Sequence, residues 1–210
     1  MRIPFAIDSL WFVLPLTVAM TIAYISGFLT IAVLILGIII FVLYFFRDPI
    51  RIATTDPNQI LAPADGKVIK IDSNYESEDY GKRGICISIF LSIFNVHIQR
   101  VPVDGVVNDI RYNKGKFLAA WDHKASLDNE QSMIKISTDS GMVVVKQIAG
   151  LIARRIKTYL KIDEKVLKGS KLGLIRFGSR VDLILPPDYV VVSKIGDKVV
   201  GAKTVMARVK

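Results

Sequence analysis

Two patterns of hydrophobic and polar positions divide the chain. From Ser9 to Phe46 no side chain carries a charge, whereas beyond about Ile60 short β-branched runs alternate with Gly, Asp, Asn and Pro. The first stretch is about twice the roughly 20 apolar residues that one membrane span needs. Pro15 and the break at Ser26-Gly27 predict two short helices, about Leu10–Ile25 and Phe28–Phe46. A hairpin of this kind, whether two-pass or dipping into one leaflet, brings the chain back to the side it started from. Arg2 ahead of it and Arg47 and Arg51 behind it then share one face, which the positive-inside bias makes cytoplasmic. The run is too long for the apolar core of a signal peptide and has no small-residue cleavage site, so it is expected to be retained. The alternative, a hairpin buried in a soluble fold, would need a large core to hide it.

Residues 47–59, RDPIRIATTDPNQ, read as a polar linker with two prolines, leaving 60–210 as the folded domain and 1–46 as a membrane anchor. Strands are predicted at KVIKI (67–71), GICISIFL (84–91), GVVNDIRY (105–112), SMIKIST (132–138), MVVVKQIAG (142–150), SRVDLILP (179–186), YVVVSKI (189–195) and VMARVK (205–210). LIARRIKTYL (151–160) is the only helical candidate of any length there, and it reads equally as strand or loop. The fold class is therefore mainly β, a barrel or sandwich with an N-terminal hydrophobic helical hairpin. ILAPADGKVIKI (60–71) and KVLKGSKLGLIRFG (165–178) echo each other and resemble pieces of the barrel-sandwich hybrid of biotinyl and lipoyl carrier domains. The Met-Lys-Met of such carriers is missing, so carrier function is not expected.

Composition narrows the chemistry. The 210 residues carry a net charge of +9, with a pI near 9.6 and a mean hydropathy of +0.42. Aromatic residues are not interleaved with the basic ones, so the charge points to an anionic membrane surface and not to nucleic acid. A single cysteine, Cys86, excludes an intrachain disulfide, and with only two histidines a His/Cys metal cluster is not expected; a carboxylate site stays open.

Three places could carry chemistry. Asp65, in APADG, sits at a turn before a strand, where an ordinary Asp-Gly turn explains it when taken alone. His97, in FLSIFNVHIQRVPVDG (90–105), follows a strongly apolar run, and packing is the default role of a lone histidine. His123 lies in a polar stretch that reads as a solvated loop. The third is Gly178-Ser179, set between two apolar runs in LIRFGSRVDLILPP (174–187). A Ser/His/Asp hydrolase set can be drawn, but the G-x-S-x-G elbow is missing and the context is strand–turn–strand. A Gly-Ser pair on a strained turn offers another use of the hydroxyl: attack on the preceding carbonyl, with the acyl group moving from nitrogen to oxygen. Elimination then breaks the chain and leaves dehydroalanine, which hydrolyses to a pyruvoyl group. An imidazole nearby would take the serine proton.

FGSRVDLILP, with KGSKLGLI, QIAGLIARRI, FLSIFNVHIQRVPVDG and LAPADGKV upstream, resembles the short, membrane-associated form of phosphatidylserine decarboxylase, from FFRDP (45–49) to the C-terminus. The resemblance implies self-cleavage between Gly178 and Ser179 into a β chain, 1–178, and an α chain, 179–210, that stay associated. Ser179 would become the pyruvoyl cofactor, whose carbonyl condenses with the amine of phosphatidylserine and takes up electrons as CO₂ leaves, giving phosphatidylethanolamine. Asp65 and His97 match motif positions that serve processing or decarboxylation, and His97 is the natural proton donor. The longer members carry a second histidine three residues on; here Arg100 stands there. Either His97 serves both steps or another group, such as His123, takes one. Arg100 and Arg180 are the candidate contacts for substrate oxyanions. Archaetidylserine has the same headgroup and is an equal candidate substrate, and a homo-oligomer, such as a dimer, is expected from the resemblance. The rival reading is a membrane-anchored barrel-sandwich adaptor without catalysis, which would remain one uncut chain.

Overall fold

The computed structural model describes residues 4–77, 82–115, 129–150, 155–176 and 179–210. The chain forms two compact units, one up to Ile50 and one from Arg51 to Lys210.

In the first unit a 3-10 turn (Ile7–Ser9) leads into α1 (Leu10–Ile25), and α2 (Leu29–Phe45) packs against α1. Pro15 lies inside α1 and does not end it. The break comes at Gly27, whose φ of 82° is one that a residue without Cβ adopts without penalty. The two ends of the hairpin are clasped. Ala6 N–H donates to Phe46 O at 2.8 Å, Asp48 N–H donates to Pro4 O at 2.7 Å, and Phe5 and Arg47 form a β-bridge. The segment Ile7–Ile25 is long and apolar enough to cross a membrane, and α2 is shorter. Large apolar side chains face outward on both helices, among them Trp11 (79% exposed) and Leu34 (64%).

The described residues of the second unit form strands joined by turns and loops, with no helix. Its strands are β1 (Gln59–Leu61), β2 (Gly66–Ser77), β3 (Lys82–Leu91), β4 (Ile98–Arg100), β5 (Gly105–Asn113), β6 (Gln131–Thr138) and β7 (Gly141–Ala149). There follow β8 (Ile156–Thr158), β9 (Lys165–Val166), β10 (Lys171–Ile175), β11 (Ser179–Leu185), β12 (Val190–Val191), β13 (Lys198–Val199) and β14 (Val205–Arg208). Eight of them form one antiparallel sheet in the order β13-β2-β3-β11-β7-β6-β5-β9, curled into a half-barrel. Two three-stranded sheets, β1-β14-β12 and β4-β10-β8, complete the unit.

Alternation along the strands builds the core. Ile85, Ile87, Ile89 and Leu91 of β3 join Val181, Leu183 and Leu185 of β11 and Val143, Val145 and Ala149 of β7 in one buried cluster. The opposite face of the same strands carries a small cluster of Cys86, Val144 and Ile184.

The structure bears on the sequence reading in three places. YVVVSKI keeps only Val190–Val191 as strand, because residues 194–197 form a turn closed by Lys194 N–H donating to Asp197 Oδ2 at 2.7 Å. LIARRIKTYL contributes β8, while residues 151–154 lie outside the described residues. The two apolar runs flanking Gly178-Ser179 are both strands but lie in different sheets: β10 belongs to a three-stranded sheet and β11 to the eight-stranded one.

Candidate active site

β11 is a central strand, paired along its length with β3 on one side and β7 on the other. A strand buried on both faces reads as a continuous apolar run, and RVDLIL departs from that only at Arg180 and Asp182. These two stand on the face away from the core. Arg180 donates through Nε to Asp182 Oδ1 at 2.6 Å, through Nη2 to Asp182 Oδ2 at 3.0 Å, and through Nη2 to Ser88 Oγ at 2.8 Å. The guanidinium expected to meet substrate is thus held in a buried fork on its own strand. Cys86 is on this face too, and burial pushes its thiol pKa well up, so it is a packing residue and not a nucleophile.

Ser179 opens β11 opposite Leu91 and Ala149, in phase with the core-facing Val181. It is fully buried, and its hydroxyl has no hydrogen-bond partner among the described residues. A buried hydroxyl without a partner costs about 1–3 kcal/mol, so its presence at the strand start calls for a use. Gly178, the other half of the expected scissile bond, lies outside the described residues, as does His123.

His97 is fully buried as well. A tight turn precedes it, in which Ser92 N–H and Oγ both donate to Asn95 Oδ1, at 2.9 and 2.8 Å. His97 Nδ1 lies 2.9 Å from Asn95 O. A carbonyl only accepts, so Nδ1 carries a proton, and Nε2 is the ring nitrogen left for proton transfer.

A buried polar contact joins β4, which follows His97, to β7, the neighbour of the strand that Ser179 opens. Gln147 Nε2 on β7 donates to Gln99 Oε1 on β4 at 3.0 Å, and Thr158 Oγ1 on β8 donates to Gln147 Oε1 at 3.2 Å. His97 is two residues from Gln99. Ser179 is two residues from Val181, the register partner of Gln147. Each is therefore two residues along the chain from a residue that makes this contact or pairs with one that does.

Asp65 is committed elsewhere. Arg51 grips both its oxygens, Nη1 to Oδ1 at 2.6 Å and Nη2 to Oδ2 at 2.7 Å, and Gly201 N–H adds a third bond at 2.9 Å. None of these hydrogen bonds goes to His97. Arg100 is buried on β4, with Nη1 3.4 Å from Gly169 O and its backbone N–H donating to Pro63 O at 2.8 Å, beside the APADG segment. Sequence reasoning placed Arg51 in a linker and passed over Gln99 and Gln147. A glutamine inside the apolar run MVVVKQIAG was the available signal, since a polar residue in phase with a core face needs a partner.

Comparison with known proteins bears on the same residues. The family model for phosphatidylserine decarboxylase matches residues 38–207. A phosphatidylserine decarboxylase proenzyme of Geobacter metallireducens is 44% identical over 183 residues, covering 87% of this chain and 84% of that protein. The proenzyme of Syntrophotalea carbinolica is 45% identical over 185 residues, covering 88% and 86%. That of Cytophaga hutchinsonii is 44% identical over 179 residues, covering 85% and 81%. Since the family match runs from the second helix into the last strand and takes in Arg51, Asp65, His97, Arg100 and Ser179, this chain belongs to the phosphatidylserine decarboxylase family.

Proposed function

We propose that the chain is a proenzyme that cuts itself between Gly178 and Ser179, and that the cut form decarboxylates phosphatidylserine to phosphatidylethanolamine. The observation that carries this is the Ser179 hydroxyl, buried and without a partner among the described residues, at the point where the chain passes from one sheet to another. In the processing step Ser179 Oγ attacks the Gly178 carbonyl. His97 Nε2 takes the hydroxyl proton and delivers it to the departing nitrogen of Ser179. The C–N bond breaks as the C–O bond forms, giving an ester. Loss of the Ser179 Cα proton expels the Gly178 carboxylate from Cβ, and water then replaces the nitrogen, which leaves as ammonia.

The buried position of Ser179 suits the resulting pyruvoyl group, which when present supplies the electron sink for loss of CO₂. The chain's own residues do the rest. Burial of both Ser179 and His97 keeps water from the reacting carbon. His97 takes a proton from the substrate's ammonium group and returns it to the carbon once CO₂ has gone, so one histidine serves both steps. Asp65 acts through Arg51, closing residues 51–56 onto the domain, and Arg100 is the oxyanion contact nearest His97 in sequence. Arg180 can reach substrate only by giving up its fork on Asp182, so its supported role is to hold the strand that Ser179 opens. The apolar hairpin holds the enzyme at the cytoplasmic face of the membrane, where its two-tailed substrate stays. The reaction involves only the headgroup, so diacyl and archaeal ether lipids both qualify.

The test is release of CO₂ from carboxyl-labelled phosphatidylserine or archaetidylserine in mixed micelles, with and without hydroxylamine, which traps carbonyl groups. Release that hydroxylamine abolishes is expected. No release from either lipid would favour the adaptor reading.

A further inference from the structure

The outer face of the sheet has a second polar feature that neither step above uses. On β13 and β2, Lys198 and Lys67 stand directly opposite each other in antiparallel register. Like charges in that relation repel and destabilise the pairing. Both side chains are exposed, and neither has a carboxylate partner among the described residues. They line a cavity of about 530 Å³ together with Asp65, Phe90, Ser92 and Asn95.

The donors and acceptors of this cavity are unequally spent. Asp65, its one carboxylate, is consumed by the Arg51 fork and Gly201 N–H, so it does not neutralise the lysines. Asn95 has its Oδ1 taken by Ser92, which leaves the two N–H groups of its amide to be directed at a ligand. The cavity therefore offers two ammonium groups and an amide donor with no acceptor matched to them among the described residues. Beside these donors the same turn exposes Ile93 (37%) and Phe94 (63%), an apolar edge suited to the glycerol and chain end of a lipid.

We propose that Lys67, Lys198 and Asn95 form the binding site for the phosphodiester of the lipid headgroup. The proposal rests on the decarboxylase reading and deepens it. Its placement agrees with the length of the headgroup, in which the phosphate is separated from the serine amine by one ester oxygen and two carbons. Lys67 is the register partner of Phe90, and Leu91, the next residue, is the partner of Ser179. Two strand spacings and one row put Lys67 Cα about 10 Å from Ser179 Cα. Because Lys67 and Ser179 face opposite sides of the sheet, the headgroup reaches the serine position round the end of the sheet, past Gly66 and Ser92. Asn95 serves both places, since its carbonyl holds His97 Nδ1 while its side chain faces the cavity.

The test separates this site from the decarboxylase reading. Calorimetry on uncut, full-length Ser179→Ala protein in uncharged detergent would compare glycerophosphoethanolamine with inorganic phosphate, with and without Lys67→Met plus Lys198→Met. The expected result is preferential binding of the diester, weakened about tenfold or more by the double substitution. In protein that has Ser179, the double variant should still cut itself and should show a KM for micellar phosphatidylserine raised about tenfold, with kcat within about twofold. Equal diester affinity in both proteins, or no detectable diester binding, would overturn the site. Preference for inorganic phosphate would overturn its assignment to lipid. Failure of the wild type to cut itself would count against the decarboxylase mechanism alone, because the calorimetric comparison does not depend on cleavage.

Discussion

Ser179 and Arg180 are neighbours with opposite surroundings, and the alternation of a strand is the cause. Ser179 faces the core with its hydroxyl unused, while Arg180 faces away and is fully engaged by Asp182 and Ser88. Replacing Asp182 by Ala would leave a buried guanidinium without its counter-charge, a loss of about 3–5 kcal/mol. A melting temperature lower by roughly 10 °C is expected in a chain of this size; an unchanged melting curve would show that the fork does not hold β11. Replacing His97 by Ala should slow self-cleavage at least a hundredfold, read from the ratio of cut to uncut chain over time. Cleavage at the wild-type rate would remove His97 from that step. At this scale much was legible. Ser179 and His97 are polar residues set in apolar runs, and such exceptions stand out. Arg51 was not legible, because its bond to Asp65 joins a linker to a turn and leaves no periodic trace. The outward face of Arg180 was implicit in the two-residue period, but the period does not say which face meets substrate.

The elements that were easy to read are those long enough to show their period. β2, β3, β5, β6, β7 and β11 each run for seven residues or more, and all were expected from their β-branched runs. β4, β8 and β10 have three to five residues, too few to display an alternation, yet these three carry or abut the site. Two strands with a turn between them were expected around Gly178-Ser179, but local sequence does not reveal that β10 and β11 join different sheets. The polar link between the sheets is open to test. Gln147→Leu removes both bonds to Gln99 and Thr158 in a buried setting, at a cost of about 1–3 kcal/mol. If that link aligns His97 with Ser179, self-cleavage should slow more than the loss of stability accounts for, and Gln147→Glu should restore less than half of the rate. Gly66→Ala tests the close approach of β2 to β3: its Cβ would collide with the carbonyl oxygen of Phe90 and with Ile89. Lower stability and a deformed Lys67–Lys198 cavity are expected, read as a lower melting temperature and a higher KM.

Over the whole molecule the division of labour follows the two units. The unit up to Ile50 carries outward apolar surface that water does not favour, and the unit from Arg51 carries every residue assigned to chemistry. In the proposed account, deletion of residues 1–50 leaves self-cleavage intact. It should lower activity on phosphatidylserine vesicles at least tenfold while sparing activity on short-chain substrate dissolved in detergent. Equal loss on both substrates would show that the hairpin supports the active site itself. The charge-free stretch made the hairpin legible from sequence, since composition alone marks it; the clasp between residues 4–6 and 46–48 was not, because backbone hydrogen bonds carry no residue signature.

The central claim, that Ser179 is a precursor residue, is most directly tested by intact mass spectrometry of the purified full chain under denaturing conditions. The account predicts two species. One ends at Gly178, and the other spans residues 179–210, is blocked at its N-terminus and is lighter than a serine-started peptide by the mass of ammonia. Ser179→Ala should give one uncut chain. A single uncut species from folded wild-type protein, or a fragment that begins with an ordinary serine, would contradict it.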